Sequence, residues 1–409
     1  MAPLKRDIYL LFSTRILRLF AYGFLSVTLA LYLTALGLSE QIVGLLFTLA
    51  LAGDVIISLW ITTSADRIGR RRMLQLGSLL IVLAGAILAS TGELLLIGIA
   101  AVVGVISPSG YEIGPFLSIE QAALSQCVRD DRRTRVFAWY NLVGSFATAL
   151  GALASGGFVQ ALQHAGLTEL SSYRSTLLVY ASVGFVLAAL FLCLSPAVEA
   201  PQTRSRVARH QLGLHRSRKT VVKLSGFFAL DAFAGGFIVQ GIVAYWFYLK
   251  FDVEPIVLGS IFFGANMLAG LSALLAVRIA ARIGLIRTMV FTHIPSNILL
   301  ILVPLMPSLT AAVAVLLVRF SISQMDVPTR QSYTMAIVSP DERSAASGVT
   351  TIARSVGAMI SPSLSGQLLA IPALIGVPFF LAGSLKIAYD LLLYRAFHAI
   401  KPSEELSKG

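Results

Sequence analysis

Charge is what this sequence has least of. Asp, Glu, Lys and Arg make up 13% of its 409 residues, against roughly 25% in a soluble domain, which excludes an ordinary water-soluble fold. Thiols and imidazoles are also few: two Cys and five His. Cys127 and Cys193 sit at or inside apolar runs, and His210 and His215 fall in a basic loop. No disulfide framework or zinc-type spacing can be drawn from them, so no metal and no cofactor is expected. There is no His-Glu-x-x-His for a zinc protease and no P-loop for an ATP-driven pump. An intramembrane enzyme and a primary pump both drop out, and the chain is expected not to be an enzyme. No cleavable signal peptide is expected, because the first apolar run is too long and lacks a small-residue cleavage site.

Apolar sequence is there in quantity. Hydrophobic residues make up 56% of the chain and the mean hydropathy is +0.82. The apolar residues come in runs long enough to cross a bilayer as helices. Twelve are expected, near 8–35, 40–62, 73–92, 95–126, 135–162, 173–195, 222–249, 255–277, 285–305, 309–338, 344–369 and 376–396. They lack the period-2 alternation of a membrane β-barrel.

The net charge of +12 follows topology. Lys5 and Arg6, then Arg70, Arg71 and Arg72, then Arg129, Arg132, Arg133 and Arg135 flank alternate loops. A cluster from Arg204 to Lys219 follows the sixth span, and Arg278, Arg282 and Arg287 flank the eighth-to-ninth turn. The intervening loops hold little beyond Arg174 and Lys250. This is the positive-inside pattern, so both termini are expected in the cytoplasm of a cell, or inner, membrane. No basic face interleaved with aromatics appears, which argues against nucleic acid as a partner.

The chain also repeats itself. Gln121, Val128, Asp131, Arg133, Gly151 and Gly156 match Gln331, Val338, Asp341, Arg343, Ser361 and Gly366 at a constant offset of 210. Two hydrophobic halves on one plan suggest a secondary transporter with its site at the repeat interface. The expected domains are an N-terminal bundle (1–196), a basic cytoplasmic linker (197–220), a C-terminal bundle (221–400) and a polar tail (401–409).

Between spans two and three runs Thr62-Thr63-Ser64-Ala65-Asp66-Arg67-Ile68-Gly69-Arg70-Arg71-Arg72. It resembles the signature loop of the major facilitator superfamily, with Thr62 where the family has a leading Gly. A degenerate copy follows span eight as Ala281-Arg282-Ile283-Gly284-Leu285-Ile286-Arg287, without the Asp. The resemblance implies an all-α integral membrane protein of twelve transmembrane helices in two pseudo-symmetric six-helix bundles. Helices one, four, seven and ten would line a central cavity. Asp66, Gly69 and Arg70 would belong to a latch between the halves. Span five reads Gly151-Ala152-Leu153-Ala154-Ser155-Gly156-Gly157 and lacks the Gly-Pro step of many drug/proton antiporters in the family.

Ionisable residues within spans cost at least ~2.5–3.5 kcal/mol each, so each needs a reason. In span ten, Asp326 and Arg330 are i,i+4 neighbours. In the repeat, Arg330 corresponds to Glu120, which predicts an inter-half latch, with a pair buried inside each half as the alternative. Asp231 in span seven lies among apolar residues. Aligning Gly44 with Gly259 places Arg18 near position 233 and makes Arg18 its expected partner. Asp231 and Glu112 are the rival proton carriers. Lys386 and Asp390 are expected to neutralise each other at i,i+4. Arg354 could neutralise a carboxylate, contact an anionic substrate, or face Asp54 across the halves. The expected pathway is Arg18, Tyr22, Asp54, Glu112, Asp231, Asp326 and Arg354.

These readings predict a monomeric secondary transporter for a small organic molecule, coupled to protons and seated in the lipid bilayer. Export is favoured by the family resemblance and by the aromatics Phe233, Phe237, Tyr245, Trp246 and Phe247 of span seven. Uptake of an anionic or zwitterionic metabolite, and a transporter-like sensor or scaffold without flux, are the alternatives.

Overall fold

The computed structural model describes residues 2–110, 115–128, 130–199, 216–339 and 342–398. They form fifteen α-helices joined by short turns and a few 3-10 segments. The first seven are α1 (Ala2–Ala35), α2 (Glu40–Ile68), α3 (Arg70–Ser90), α4 (Leu94–Val103), α5 (Phe116–Cys127), α6 (Asp130–His164) and α7 (Glu169–Leu192). Then come α8 (Arg218–Gly236), α9 (Gln240–Phe251), α10 (Pro255–Ile283), α11 (Leu285–Leu302), α12 (Leu309–Ser323), α13 (Asp326–Ile337), α14 (Arg343–Leu369) and α15 (Val377–Phe397).

Ten helical segments are long and apolar enough to cross a membrane, among them the paired helices α8–α9 and α12–α13. The other two of the twelve spans are the interrupted fourth, made of α4 and α5, and α14. Helix α14 carries Arg343, Arg354 and several hydroxyl residues, which thins its apolar character.

Three spans are interrupted: the fourth between α4 and α5, the seventh at Phe237–Val239, and the tenth at Gln324–Met325. Non-helical backbone at membrane depth is tolerated where protein or a polar partner satisfies it. One such partner is visible, because the backbone N–H of Gly241 donates to the carbonyl of Pro108 at 3.0 Å.

The repeat is built into the helices. α5 and α13 have the same length and begin at Phe116 and Asp326, the offset of 210 seen in the sequence. Both end on an extended Val, Val128 (φ −115°, ψ 135°) and Val338 (φ −109°, ψ 142°). The two signature turns match as well. Gly69 (φ +116°) separates α2 from α3, and Gly284 (φ +91°) separates α10 from α11. Both take backbone conformations that a side chain would strain.

The chain divides into two compact units. The first contains Met1–Ser205 and Val239–Phe263, and the second contains Arg206–Ile238 and Gly264–Gly409. Residues 239–263, which the sequence places with the C-terminal bundle, group by packing with the first unit. Small residues make this possible. A Cβ on Gly259 would lie 2.7 Å from the Ala152 carbonyl oxygen, and one on Gly156 would overlap the Pro255 carbonyl. Polar contacts add to it: Gln160 Nε2 donates to Glu254 at 2.8 Å, Gln240 Nε2 to Ser26 Oγ at 2.8 Å, and Tyr245 Oη to Glu40 at 2.9 Å. Close backbone approach at small residues is the main adhesive available where lipid is as apolar as the side chains.

Candidate functional site: a buried ion network around Asp231

In the second unit, Asp231 of α8 is the hub of a charge network. Its Oδ1 accepts from Lys386 Nζ of α15 at 2.6 Å. Its Oδ2 accepts from Arg354 of α14 at 3.0 Å and from Arg330 of α13 at 3.3 Å. Arg330 also donates to Asp326 at 2.7 Å, one turn back on α13. Three cations from three helices thus converge on one carboxylate. Beside them, Asp390 of α15 pairs with His293 of α11 at 2.9 Å and accepts from Asn297 at 3.2 Å. All of these groups are buried except Arg354, whose side chain is 33% exposed.

The helix crossing that holds the network is tight. Gly357 of α14 meets the Ala229 carbonyl of α8, and Gly236 of α8 meets the Ala358 carbonyl of α14, so closely that a Cβ would overlap at either place. Ser361 and Ser365 donate to the carbonyls of Phe233 and Phe237, the latter at 3.0 Å. These contacts set the rotation of α8 that turns Asp231 towards α13, α14 and α15.

The first unit holds a simpler arrangement. Arg18 of α1 makes a two-pronged bond to Glu120 of α5, at 2.7 and 2.6 Å. Thr14 donates to the same carboxylate at 2.9 Å, and Tyr140 of α6 also donates to it. The Arg18 guanidinium lies over the Phe116 ring at 4.5 Å. Arg15 donates to the Tyr140 carbonyl at 2.7 Å and to Asn141 at 3.2 Å.

The two sites are equivalent in the repeat, with the charges exchanged. Gly23 meets the Thr148 carbonyl as Gly236 meets that of Ala358, and Gly151 meets the Phe20 carbonyl as Ser361 bonds that of Phe233. Between α1 and α8 these pairs share an offset of 213, and between α6 and α14 one of 210. Arg18 therefore corresponds to Asp231, and Glu120 to Arg330. The first unit has Arg18–Glu120 where the second has Asp231–Arg330.

Several expectations are corrected by these contacts. Glu120 and Arg330 each bond partners within their own unit, as the alternative for them has it. Arg18 bonds Glu120 within its own unit, and the alignment that paired it with Asp231 is out of register. The Gly44–Gly259 alignment has an offset of 215, and a two-residue error turns a helix by about 200°, onto its opposite face. The surroundings of Asp231 are ionic, where its sequence neighbours predict apolar. Lys386 bonds Asp231 instead of the Asp390 four residues along. Arg354 bonds Asp231, whereas Asp54 accepts from Ser58 at 3.2 Å within the first unit. Trp246 and Phe247 are fully buried and pack edge-to-face on each other, as core residues do, which removes part of the argument from aromatics.

Of the remaining candidates, Tyr22 is buried on α1. Gly69 sits beside the Glu199 carboxylate. That carboxylate accepts from the backbone N–H of Arg70 at 2.6 Å and of Arg71 at 3.3 Å, capping α3. The Arg70 side chain donates to the Val198 carbonyl at 3.2 Å. Asp66 lies in α2, but its side chain falls outside the described residues, as does all of Glu112. The sequence reading missed Glu199, the His293–Asp390–Asn297 group and Glu342. Glu342 accepts from the N–H groups of Arg216 and Ser217 at 2.8 Å at the start of α8. Among the described residues no group of three or more His, Cys, Asp or Glu is placed to hold a metal ion.

Repeated helix sets closely packed at glycine, with ten helical segments among the described residues apolar enough to cross a bilayer, define a multi-pass membrane protein. The family model described as Major Facilitator Superfamily matches residues 11–362, and the chain belongs to that superfamily. It is 32% identical to an uncharacterized membrane protein of Saccharomyces cerevisiae over 95% of this chain and 93% of the relative. Among solved structures it is similar to the nucleoside transporter NupG, with a TM-score of 0.72 at 14% identity over 96% of this chain and 99% of that one. It is also similar to a D-xylose–proton symporter, with a TM-score of 0.74 at 14% identity over 95% and 97%.

Proposed function

We propose that this protein moves a small organic molecule across its membrane by alternating access, driven by protons, with the Asp231 network as the coupling site. The observation that carries this reading is the convergence of Lys386, Arg354 and Arg330 on one buried carboxylate. Burying an ion costs several kcal/mol even after relaxation, and buried charges in membrane spans mark ion and substrate pathways. A proton on Asp231 removes the charge that holds three cations from three helices together, so those helices are freed to repack. Loss of the proton draws them back. Such a bistable contact is what coupling a proton to a conformational step requires.

The membrane we propose is the cell membrane, with both termini on the cytoplasmic side, as the distribution of Lys and Arg suggests. Export is the direction we propose. Uptake is the second reading, favoured by span five, which runs as the single unbroken helix α6 without a Gly-Pro step. The test is a growth profile against a panel of toxic compounds in a transporter-deficient host. Wild type and Asp231→Asn are compared at matched expression. Protection lost in the variant supports export coupled at Asp231. Heightened toxicity with the wild type supports uptake. A profile identical to that of the empty host for every compound contradicts transport.

A further inference from the structure

Arg354 stands apart from the other cations of the network. Its side chain is 33% exposed, against 8% for Arg330 and 11% for Lys386. Its acceptor among the described residues is Asp231 Oδ2, at 3.0 Å, and Arg330 already uses that oxygen. A guanidinium offers five N–H donors in a planar fork that matches a carboxylate, and one of them is engaged here. Lys386 holds the other Asp231 oxygen at 2.6 Å. Asp231 therefore remains paired with Lys386 and Arg330 if Arg354 turns to another acceptor.

The first unit shows what a purely structural arginine looks like at the same crossing. The repeat places Gly144 opposite Arg354, and the space beside Gly144 is filled by Arg15 from α1, with its Nε 2.8 Å from where a Cβ would stand. Arg15 is 4% exposed. It bonds a backbone carbonyl and an amide oxygen, and lies over the Tyr140 ring at 4.3 Å. Both crossings carry a guanidinium. One is buried, and the other is partly open and shares an anion with two further cations.

We propose that Arg354 is a substrate-binding residue whose ligand is the carboxylate group of a small, soluble organic anion. The ligand carboxylate takes the place of Asp231 Oδ2 on the Arg354 fork. A proton on Asp231 frees Arg354 for that anion, so proton and carboxylate bind to the same state, as in symport; this rests on the coupling role given to Asp231 above and selects the uptake reading over export.

The test uses the full-length protein in nanodiscs of neutral lipid. Acetate, succinate and benzoate are titrated against their neutral amides, and melting temperature and tryptophan fluorescence are read. The expected result is a saturable response to at least one carboxylate and none to its amide. Arg354→Gln should weaken that carboxylate about 10- to 100-fold, the loss expected for one charge-assisted contact. Arg354→Lys should recover part of the affinity through charge without the fork. A ligand-free melting temperature for each variant separates lost binding from lost folding. If Arg354→Gln does not fold, the Arg354→Lys titration alone decides, and an unchanged carboxylate affinity there overturns the proposal. No response to any of the three carboxylates overturns it, as does a response shared equally by the amides. A shift seen only when anionic lipid replaces neutral lipid also overturns it, by assigning Arg354 to headgroups. If the growth panel shows Asp231-dependent transport of neutral compounds while Arg354→Gln transports normally, the substrate class fails and the coupling site stands.

Discussion

The two units place opposite charges at equivalent positions and use them differently. In the first, Arg18 grips Glu120 with two prongs, and Thr14 and Tyr140 also donate to that carboxylate. Arg18 and Glu120 are fully buried. In the second, one carboxylate serves three cations from three helices, one of them a third exposed. A closed pair has one stable arrangement. An over-subscribed carboxylate has several of similar energy, and a proton or an anion can choose among them. On this difference rests our proposal that coupling lies at the Asp231 site and that the Arg18 site is structural.

The largest expected effect comes from removing the hub. Asp231→Asn leaves three cations without their shared anion. Breaking a buried pair is worth about 3–5 kcal/mol, a factor of about 10²–10⁴ when read as transport. Initial rates of proton-driven flux in proteoliposomes check this. Glu120→Gln should cost a similar energy, about 3–5 kcal/mol, but as a fall in melting temperature. The double variant Arg18→Met with Glu120→Leu should recover part of that fall, because neither charge is then buried alone. Recovery stays partial because the Tyr140 hydroxyl loses its Glu120 acceptor, whereas Thr14 keeps the Leu11 carbonyl. The same double replacement at Arg330 and Asp231 should leave flux abolished whatever its stability. If flux returns there, the comparison collapses.

A smaller, symmetric effect is expected at the crossings. Gly23→Ala and Gly236→Ala each drive a methyl into a carbonyl of the neighbouring helix, at a cost of about 1–3 kcal/mol. Thermal melting of the two variants should show falls of similar size. If only one position responds, the repeated packing is not equivalent. The smallest effects should come from the helix caps. Glu199→Gln at the start of α3 and Glu342→Gln at the start of α8 should each cost about 0.5–2 kcal/mol, read as a small drop in melting temperature with flux retained.

The spans, the repeat and the signature turn were legible because each follows from local pattern. Apolar run length marks a span, positive loops mark a side, and Gly69 marks a turn that needs positive φ. Partner choice was not legible. Lys386 and Asp390 have the spacing of a helical pair, yet each bonds another helix, because packing of α8 and α11 against α15 brings stronger partners within reach. The Arg18–Asp231 pairing failed for a reason of register. Span seven is interrupted at Phe237–Val239 where α1 runs unbroken, so an offset taken from the second span does not carry back to the first. The charge exchange between Arg18–Glu120 and Asp231–Arg330 emerges only once the glycine contacts supply the correct offsets.

The most direct test compares proton-gradient-driven flux for three proteins in one reconstitution: wild type, Asp231→Asn, and Arg18→Met with Glu120→Leu. The account predicts that Asp231→Asn loses coupled flux while remaining folded, and that the double variant keeps it at reduced thermal stability. Flux retained in Asp231→Asn and lost in a folded double variant would contradict the account, placing the coupling site in the first unit.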